Sequence, residues 1–244
     1  MEPQAMRAGR SGQFTRLVAK DLSLQWRNRE ALYVVGLFSL LVVLVFAFAY
    51  GPEFVPPGLG RVARHGELAK LGAAIFWSAL AFGAVIALHR SGEADREFGA
   101  MGAIRLAGVS PTAIYFSRIV SIFIILTAIE AALLPAVIVF LQVESMTAMD
   151  VARMAGVAAL GTCGVSTIGA FVSTMTASAR GKESLLSVVL LPLVVPLLIA
   201  ATKVSVDVFA SRPISDWRWF SLLVAYPMLT AGVGLALFDS LLEE

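Results

Sequence analysis

Six long apolar runs divide this chain of 244 residues, and they constrain its fold more than any other feature. The hydrocarbon core of a bilayer is about 30 Å thick, and an α-helix needs roughly 20 apolar residues to cross it. Helices are expected because unpaired backbone groups are costly in hydrocarbon. The runs cover residues 31–50, 71–88, 119–141, 154–179, 184–202 and 219–238, and five of them contain no charged side chain. The sequence therefore predicts an all-α integral membrane protein with six transmembrane helices, as a single transmembrane domain over residues 14–244.

The composition agrees with a membrane protein and excludes several other classes. Hydrophobic residues make up 58% of the chain and charged residues 15%, whereas about a quarter of a soluble domain is charged. The formal net charge of +2 lacks the strong basic bias of nucleic-acid-binding domains. The single cysteine, Cys163, leaves this sequence without an intrachain disulfide or a Cys-rich metal site. We expect the lipid bilayer as a partner, and no nucleic acid.

Basic residues between the runs predict the orientation. Six Lys and Arg residues precede the first run, four lie between the second and third, and two lie between the fourth and fifth; the opposite segments carry three, one and three. Cytoplasmic loops carry the excess of basic residues, so both termini are predicted to be cytoplasmic. The first run is too long and begins too late for a cleaved signal peptide, and it should remain as an anchor.

The segment before the first run has an amphipathic pattern. Its apolar residues recur at three- and four-residue spacing: Phe14, Leu17, Val18, Leu22 and Trp26. This spacing is typical of a helix that lies in the plane of the membrane interface. The alternative is a frayed extension of the first span, with Trp26 as a residue of the aromatic belt. Residues 1–13 are basic, and we expect them to be disordered.

The longest predicted cytoplasmic segment, residues 89–118, combines charged and apolar side chains. A short amphipathic helix is predicted over residues 94–106, because a solvated linker would not need its apolar residues. Gly108 and the pair Ser110-Pro111 should break the chain before the third span. Such a helix would present a surface to a cytoplasmic partner through Asp95, Arg96, Glu97, Phe98, Met101, Ile104, Arg105 and Leu106.

Glu130 lies near the middle of the third run. A carboxyl group in the membrane interior costs several kcal/mol and marks a functional position. The alternative is a protonated or hydrogen-bonded packing residue. No basic residue lies at matching depth in another run, so its partner cannot be named from the sequence.

Two further patterns concern the fourth and fifth runs. Small residues every fourth position favour close packing of a neighbouring helix rather than chemistry; they are Ala158, Thr162, Ser166, Ala170, Thr174 and Ser178. Pro192 and Pro196 each remove a hydrogen bond inside the fifth run and predict a kink or a locally unwound turn. Such a feature serves either as a transport hinge or simply as a bend.

Motifs of autonomous enzymes are absent from the sequence. The pair Gly181-Lys182 lacks the earlier glycine of a P-loop, and no Gly-x-Ser-x-Gly or His-Glu-x-x-His pattern occurs. His65 and His89 fall on opposite sides of the membrane, so neither is assigned as a ligand, and no metal site or catalytic residue is predicted. Three hypotheses remain: a permease subunit driven by a separate ATPase, an ion-coupled carrier with Glu130 as its proton site, and a membrane enzyme that uses loop residues.

Several stretches, taken in order with six spans, match a known family. They are LVAKDLSLQWR at residues 17–27, DREFGA at 95–100, IRLAGVSP at 104–111, and SARGKE at 178–183 followed by LLPLVVP at 190–196. With them the chain resembles the CcmB family, the membrane subunit of an ABC-type complex in bacterial cytochrome c maturation. Generic ABC-2 type permeases share the amphipathic entry helix and the short helix after the second span.

The resemblance implies an ABC-2-like permease bundle in the inner membrane that itself hydrolyses no ATP. A CcmA-like ATP-binding subunit would dock on residues 95–106, which would then be a coupling helix. Further implied partners are CcmC-like and CcmD-like membrane proteins and a CcmE-like haem chaperone. Haem would be cargo of the complex, and the work done would be haem handling or release of the haem-loaded chaperone. The alternatives are a generic ABC-2 permease for another substrate and an ion-coupled carrier that uses Glu130.

Overall fold

A computed structural model of the chain describes residues 14–23, 29–51, 55, 58, 60–97, 111–143, 146–177 and 183–243. Seven helices and no strand occur in these ranges, which confirms the all-α prediction. The helices are α1 (residues 14–23), α2 (Arg29–Tyr50), α3 (Arg61–Glu97), α4 (Pro111–Phe140), α5 (Ala148–Ala177), α6 (Glu183–Phe209) and α7 (Trp217–Glu243).

Six of the helices are long and apolar enough to cross a membrane, as the sequence predicted. The candidate spans are Tyr33–Tyr50, Arg61–Leu88, Thr112–Phe140, Ala148–Ser173, Pro192–Phe209 and Trp217–Ala236. Several helices extend beyond the apolar runs because backbone hydrogen bonding continues where charged side chains begin. The fifth span consequently contains Lys203 and Asp207, and the interval 184–202 was too short at this end.

Helices α2, α4 and α6 end, and α3, α5 and α7 begin, at one end of the bundle. We call it the external end, following the charge-based orientation, and the opposite end the cytoplasmic end. At the external end, the N-terminus of α5 is capped by a reciprocal pair: the Asp150 amide donates to Thr147 Oγ1 over 3.2 Å, and the Thr147 amide donates to Asp150 Oδ2 over 3.1 Å. Arg153 of α5 then donates to the carbonyl oxygen of Arg212 over 2.8 Å, which ties the first turns of α5 to the connection between α6 and α7.

Helices α3 and α5 form the centre of the bundle. Helix α5 packs against α3, α4, α6 and α7, and α3 packs against α2, α4, α5 and α6. In the candidate span of α5, 67% of residues are buried, against 22% in α2 and 17% in α7. The two outer helices therefore present their apolar side chains to lipid, as Leu37 and Phe48 do with 65% and 77% exposure.

Glycines of α5 allow its neighbours to approach closely. A Cβ atom at Gly161 would overlap the Trp77 ring of α3, and one at Gly169 would press on the Leu88 side chain. Trp77 is fully buried, and its indole N–H donates to Ser205 Oγ of α6 over 2.8 Å. One level of the bundle thus joins α3, α5 and α6 through a single side chain.

Candidate functional site

The predicted coupling helix begins inside a longer helix. Residues 94–97 form the last turn of α3, which runs without a break from Arg61, so the prediction of a separate helix starting at Ala94 was wrong. The pair Ser91-Gly92 does not stop the helix, because a single glycine costs only about 1 kcal/mol. The side chains of Asp95, Arg96 and Glu97, and all of residues 98–106 (Phe98, Met101, Ile104, Arg105 and Leu106 among them), lie outside the described part of the chain. Helix α4 then begins at Pro111, which agrees with the predicted break.

The amphipathic helix α1 is confirmed over residues 14–23 and packs on the bundle. Leu17 and Leu22 contact the buried core, whereas Arg16 and Ala19 are exposed. Phe14 and Val18 are half-buried on the same side as the leucines, and Trp26 lies outside the described residues. The apolar stripe read from the sequence is therefore the docked face of α1.

An electrostatic interaction at the cytoplasmic end accompanies this docking. Burial raises the pKa of the Asp21 carboxyl above its ordinary value, while the positive charges of Arg118 and Lys20 oppose that rise. Arg118, nearly two turns into the membrane-spanning part of α4, donates to Ser173 Oγ of α5 over 3.5 Å. We call Asp21, Arg118 and Ser173 the cytoplasmic latch. It joins α1 to the beginning of α4, directly after the predicted coupling segment, and to the end of α5.

The cytoplasmic latch predicts a pH-dependent attachment of α1. An acid whose pKa is raised in the docked state binds protons more tightly there, so docking weakens as the pH rises through that pKa. Arg118→Met removes the charge that favours ionised Asp21, so we expect the mobility of α1 to rise more steeply with pH in this variant than in the unsubstituted chain. The measurement is the mobility of a spin label on Ala19→Cys in a Cys163→Ala background. Lys20→Met should change the pH profile less, and equal profiles for Arg118→Met and the unsubstituted chain would refute the latch.

Glu130 is buried between α4 and α5, with 5% of its surface exposed. The Thr162 hydroxyl donates a hydrogen bond to Glu130 Oε1. Thr162 itself is fully buried, and the Ser166 hydroxyl one turn further along α5 donates to the Thr162 carbonyl oxygen over 2.7 Å. The partner of Glu130 is thus a hydroxyl group within the row of small residues.

The row of small residues lies in the helix contacts, as predicted. Ala158, Thr162, Ser166 and Ala170 are all buried. The side chain of Thr174 and all of Ser178 lie outside the described residues. Within the described part, the row combines packing with the hydrogen bond to Glu130, a role that the spacing did not reveal.

The two prolines of the fifth span lie inside a continuous helix. Helical backbone runs through Pro192 and Pro196, so no turn is unwound there, and the kink stays a prediction. The Tyr226 hydroxyl of α7 donates to the Leu193 carbonyl oxygen over 2.5 Å. A neighbouring helix therefore supplies a donor between two residues that lack a backbone N–H.

A second polar contact joins α4, α5 and α7 near the cytoplasmic half. The Tyr115 hydroxyl donates to the Thr167 carbonyl oxygen over 3.2 Å, and the Thr167 and Thr230 hydroxyls lie 2.7 Å apart. No pattern in the sequence pointed to these partners, because isolated Tyr and Thr residues in apolar runs are common. Their pairing became visible only with the helix arrangement.

The histidines and the cysteine do not assemble a metal centre in the described ranges. His65 lies on the second turn of α3 at the external end, and its buried Nε2 has no hydrogen-bond partner among the residues that the structure describes. Cys163 is half-buried on α5. No group of three or more His, Cys, Asp or Glu residues able to hold a metal ion occurs in the part of the chain that the structure describes.

Comparison with known proteins relates this helical arrangement to one family. The family model described as CcmB protein matches residues 12–240. The curated protein named Heme exporter protein B, from Bradyrhizobium diazoefficiens, is 26% identical over 221 residues, which cover 89% of this chain and 91% of that protein. No solved structure matches. Because the family model covers nearly the whole chain, with all six candidate spans inside it, the chain belongs to the CcmB family.

Proposed function

We propose that this chain is the membrane subunit of an ABC-type haem export complex that serves cytochrome c biogenesis in a bacterial inner membrane. The family match over residues 12–240 carries the proposal, and a relative named Heme exporter protein B supports it. A CcmA-like subunit hydrolyses ATP, and this chain contributes no catalytic residue. Both termini face the cytoplasm, where that subunit docks.

The length of α3 supports a mechanical coupling role. Its 37 residues correspond to about 55 Å, against about 30 Å for the hydrocarbon core. The helix ends at Glu97, immediately before residues 98–106 of the proposed docking segment. Trp77 and Leu88 lock α3 against Gly161 and Gly169 of α5. A displacement of the cytoplasmic end of α3 is therefore passed to the centre of the bundle.

Several polar side chains in the interior of the bundle are hydrogen-bonded to one another. This pairing supports a subunit that moves as a bundle more than one that passes a polar substrate through its interior. Trp77 bonds to Ser205, and Thr167 to Thr230. Glu130 is likewise held by Thr162. We propose that the complex handles haem by releasing a haem-loaded CcmE-like chaperone from CcmC-like and CcmD-like membrane proteins.

Loss of the chain in its own host tests this function. A deletion strain should lose covalently bound haem in c-type cytochromes, because haem delivery to the apoproteins would stop. Haem staining of denatured membrane proteins measures this loss, with b-type haem spectra as the control. Restoration by the plasmid-borne chain supports the proposal, and normal c-type cytochromes in the deletion strain would contradict it.

Charge reversal in the proposed coupling segment should detach the ATPase. Glu97→Lys and Arg105→Glu each replace a charge that complements the partner with one of the same sign as the partner's. Such a juxtaposition of like charges costs several kcal/mol at an interface. We expect at least about a tenfold loss of ATPase subunit recovered with the chain. Membrane insertion should be unchanged, and Arg64→Glu at the external end serves as the control. Undiminished recovery with both reversals would show that another segment receives the ATPase.

A further inference from the structure

A groove between α3 and α6 opens on the outer surface of the bundle. Its volume is about 460 Å³, and the buried Trp77 ring forms its floor. Phe82 of α3 and Val195 and Ile199 of α6 form its walls, and each of these side chains is exposed. Lys203 lies at one end of it. We call this feature the Lys203 groove.

Polar and apolar side chains are separated along the Lys203 groove. On α6, Lys203, Ile199 and Val195 are spaced four residues apart, so they lie on one face of the helix. Lys203 is the nearest of the three to the external end. On α3, which runs in the opposite direction, Ser78 precedes Phe82 by one turn. Both walls thus place a polar group toward the external end and apolar groups deeper. This arrangement matches an amphiphile whose head group faces outward.

Lys203 lies inside a membrane span and is exposed on its surface. It is six residues before the end of α6 at Phe209, which corresponds to about 9 Å. A lysine in this position extends its ammonium group toward the membrane interface. It makes no ion pair or hydrogen bond with any residue that the structure describes. An anion at the membrane interface could therefore form an ion pair with the Lys203 ammonium group.

Acidic side chains of this chain do not supply that anion. Asp207 is one turn above Lys203, but its Oδ2 accepts hydrogen bonds from the Ser215 amide and hydroxyl, both over 2.7 Å. Glu130 is buried between α4 and α5, where it accepts from Thr162. A second copy packed symmetrically on this face would bring Lys203 toward another Lys203, which is unfavourable in a low-dielectric environment. The charge of Lys203 therefore disfavours self-association through this groove.

We infer that the Lys203 groove binds an anionic phospholipid of the external leaflet. The phosphate accepts from the Lys203 ammonium group, and one acyl chain lies along Phe82, Ile199 and Val195. Head-group phosphates are concentrated in the interfacial zone just outside the hydrocarbon core, which is the zone that the lysine reaches.

Native mass spectrometry of the full chain, purified in mild detergent, tests the inference with phosphatidylglycerol and phosphatidylcholine of identical acyl chains. We expect one retained phosphatidylglycerol per chain and weaker retention of phosphatidylcholine. Lys203→Ala should lower phosphatidylglycerol retention about fivefold, the usual contribution of one lysine near an anionic surface. Lys203→Arg should retain the lipid, and Arg218→Ala, an exposed cation outside the groove at the same end, should have no effect.

Two further variants keep the inference testable if Lys203→Ala folds poorly. Ile199→Trp should fill the groove and reduce retention while Lys203 remains. A photoreactive amino acid at position 199 should form a phospholipid adduct in native membranes. Equal retention of both lipids, equal retention by the unsubstituted chain and Lys203→Ala, or a protein adduct at position 199 would overturn the inference; the last result would assign the groove to a membrane partner.

Discussion

Replacement of Gly161 by leucine is expected to prevent accumulation of the folded bundle. Even one Cβ atom at this position overlaps the Trp77 ring, and leucine adds three further carbon atoms. The ring cannot move aside easily, because it is fully buried, packs edge to face with Phe76 and donates to Ser205. Overpacking typically costs about 1–3 kcal/mol and occasionally more. The overlap begins at the first added atom, so we expect the upper end of this range and separation of the two central helices.

Gly156 provides a matched control on the same helix. It is exposed, and a Cβ atom there meets nothing within 4 Å. Gly156→Leu also gains about 1 kcal/mol of helix propensity. The measurement is the fraction of protein that remains monodisperse after heating in detergent. Equal survival of Gly161→Leu and Gly156→Leu would contradict the close packing of α3 on α5.

Substitutions at the buried pair of Glu130 and Thr162 should show whether the Glu130 carboxyl group has a structural role or carries protons. Thr162→Val keeps the shape of the side chain but removes the donor to Glu130. A buried polar group left without its partner costs about 1–3 kcal/mol, so we expect a marked loss of thermal stability. Glu130→Gln keeps an oxygen that accepts from Thr162 and removes the titratable group. We expect nearly unchanged stability and unchanged maturation of c-type cytochromes with Glu130→Gln.

The carrier hypothesis predicts a different pattern for the same variants. A proton site at Glu130 could not function as glutamine, and c-type cytochromes would fall to the level of the deletion strain. Glu130→Leu serves as the control that should be unstable under either hypothesis, because leucine leaves the Thr162 hydroxyl unpaired. Loss of function in a stable Glu130→Gln protein would therefore revive the carrier.

The length of the apolar runs in the sequence determined how much of the fold could be predicted. The number and order of the six spans follow from the apolar runs, because hydrocarbon admits few other structures for them. Helix ends did not follow, since residues 61–70 and 203–209 include charged side chains yet remain helical. The same limitation concealed Lys203, whose position only the extension of α6 to Phe209 placed within a span. It also made the end of α3 look like a separate helix.

The candidate site was predictable only where one segment carries the whole signal. The amphipathic pattern of α1 located its docked face, because the periodicity belongs to a single helix. The electrostatic interaction of Asp21 with Arg118 links two helices about a hundred residues apart in the chain, and the sequence contains nothing that pairs them. Glu130 was identified as unusual from its depth, but its partner Thr162 resembled any other member of the small-residue row. Side chains that act across helices become apparent only from the packing.

Association with an ATP-binding subunit is the central claim, and recovery of that subunit with the chain tests it most directly. The full chain, tagged and expressed in its own host, is extracted in a mild detergent, and the proteins bound to it are identified by mass spectrometry. We predict an ATP-binding subunit in fixed proportion to the chain, together with membrane proteins of cytochrome c maturation. Recovery of the chain alone, or with an ATPase unrelated to cytochrome c maturation, would contradict the proposal.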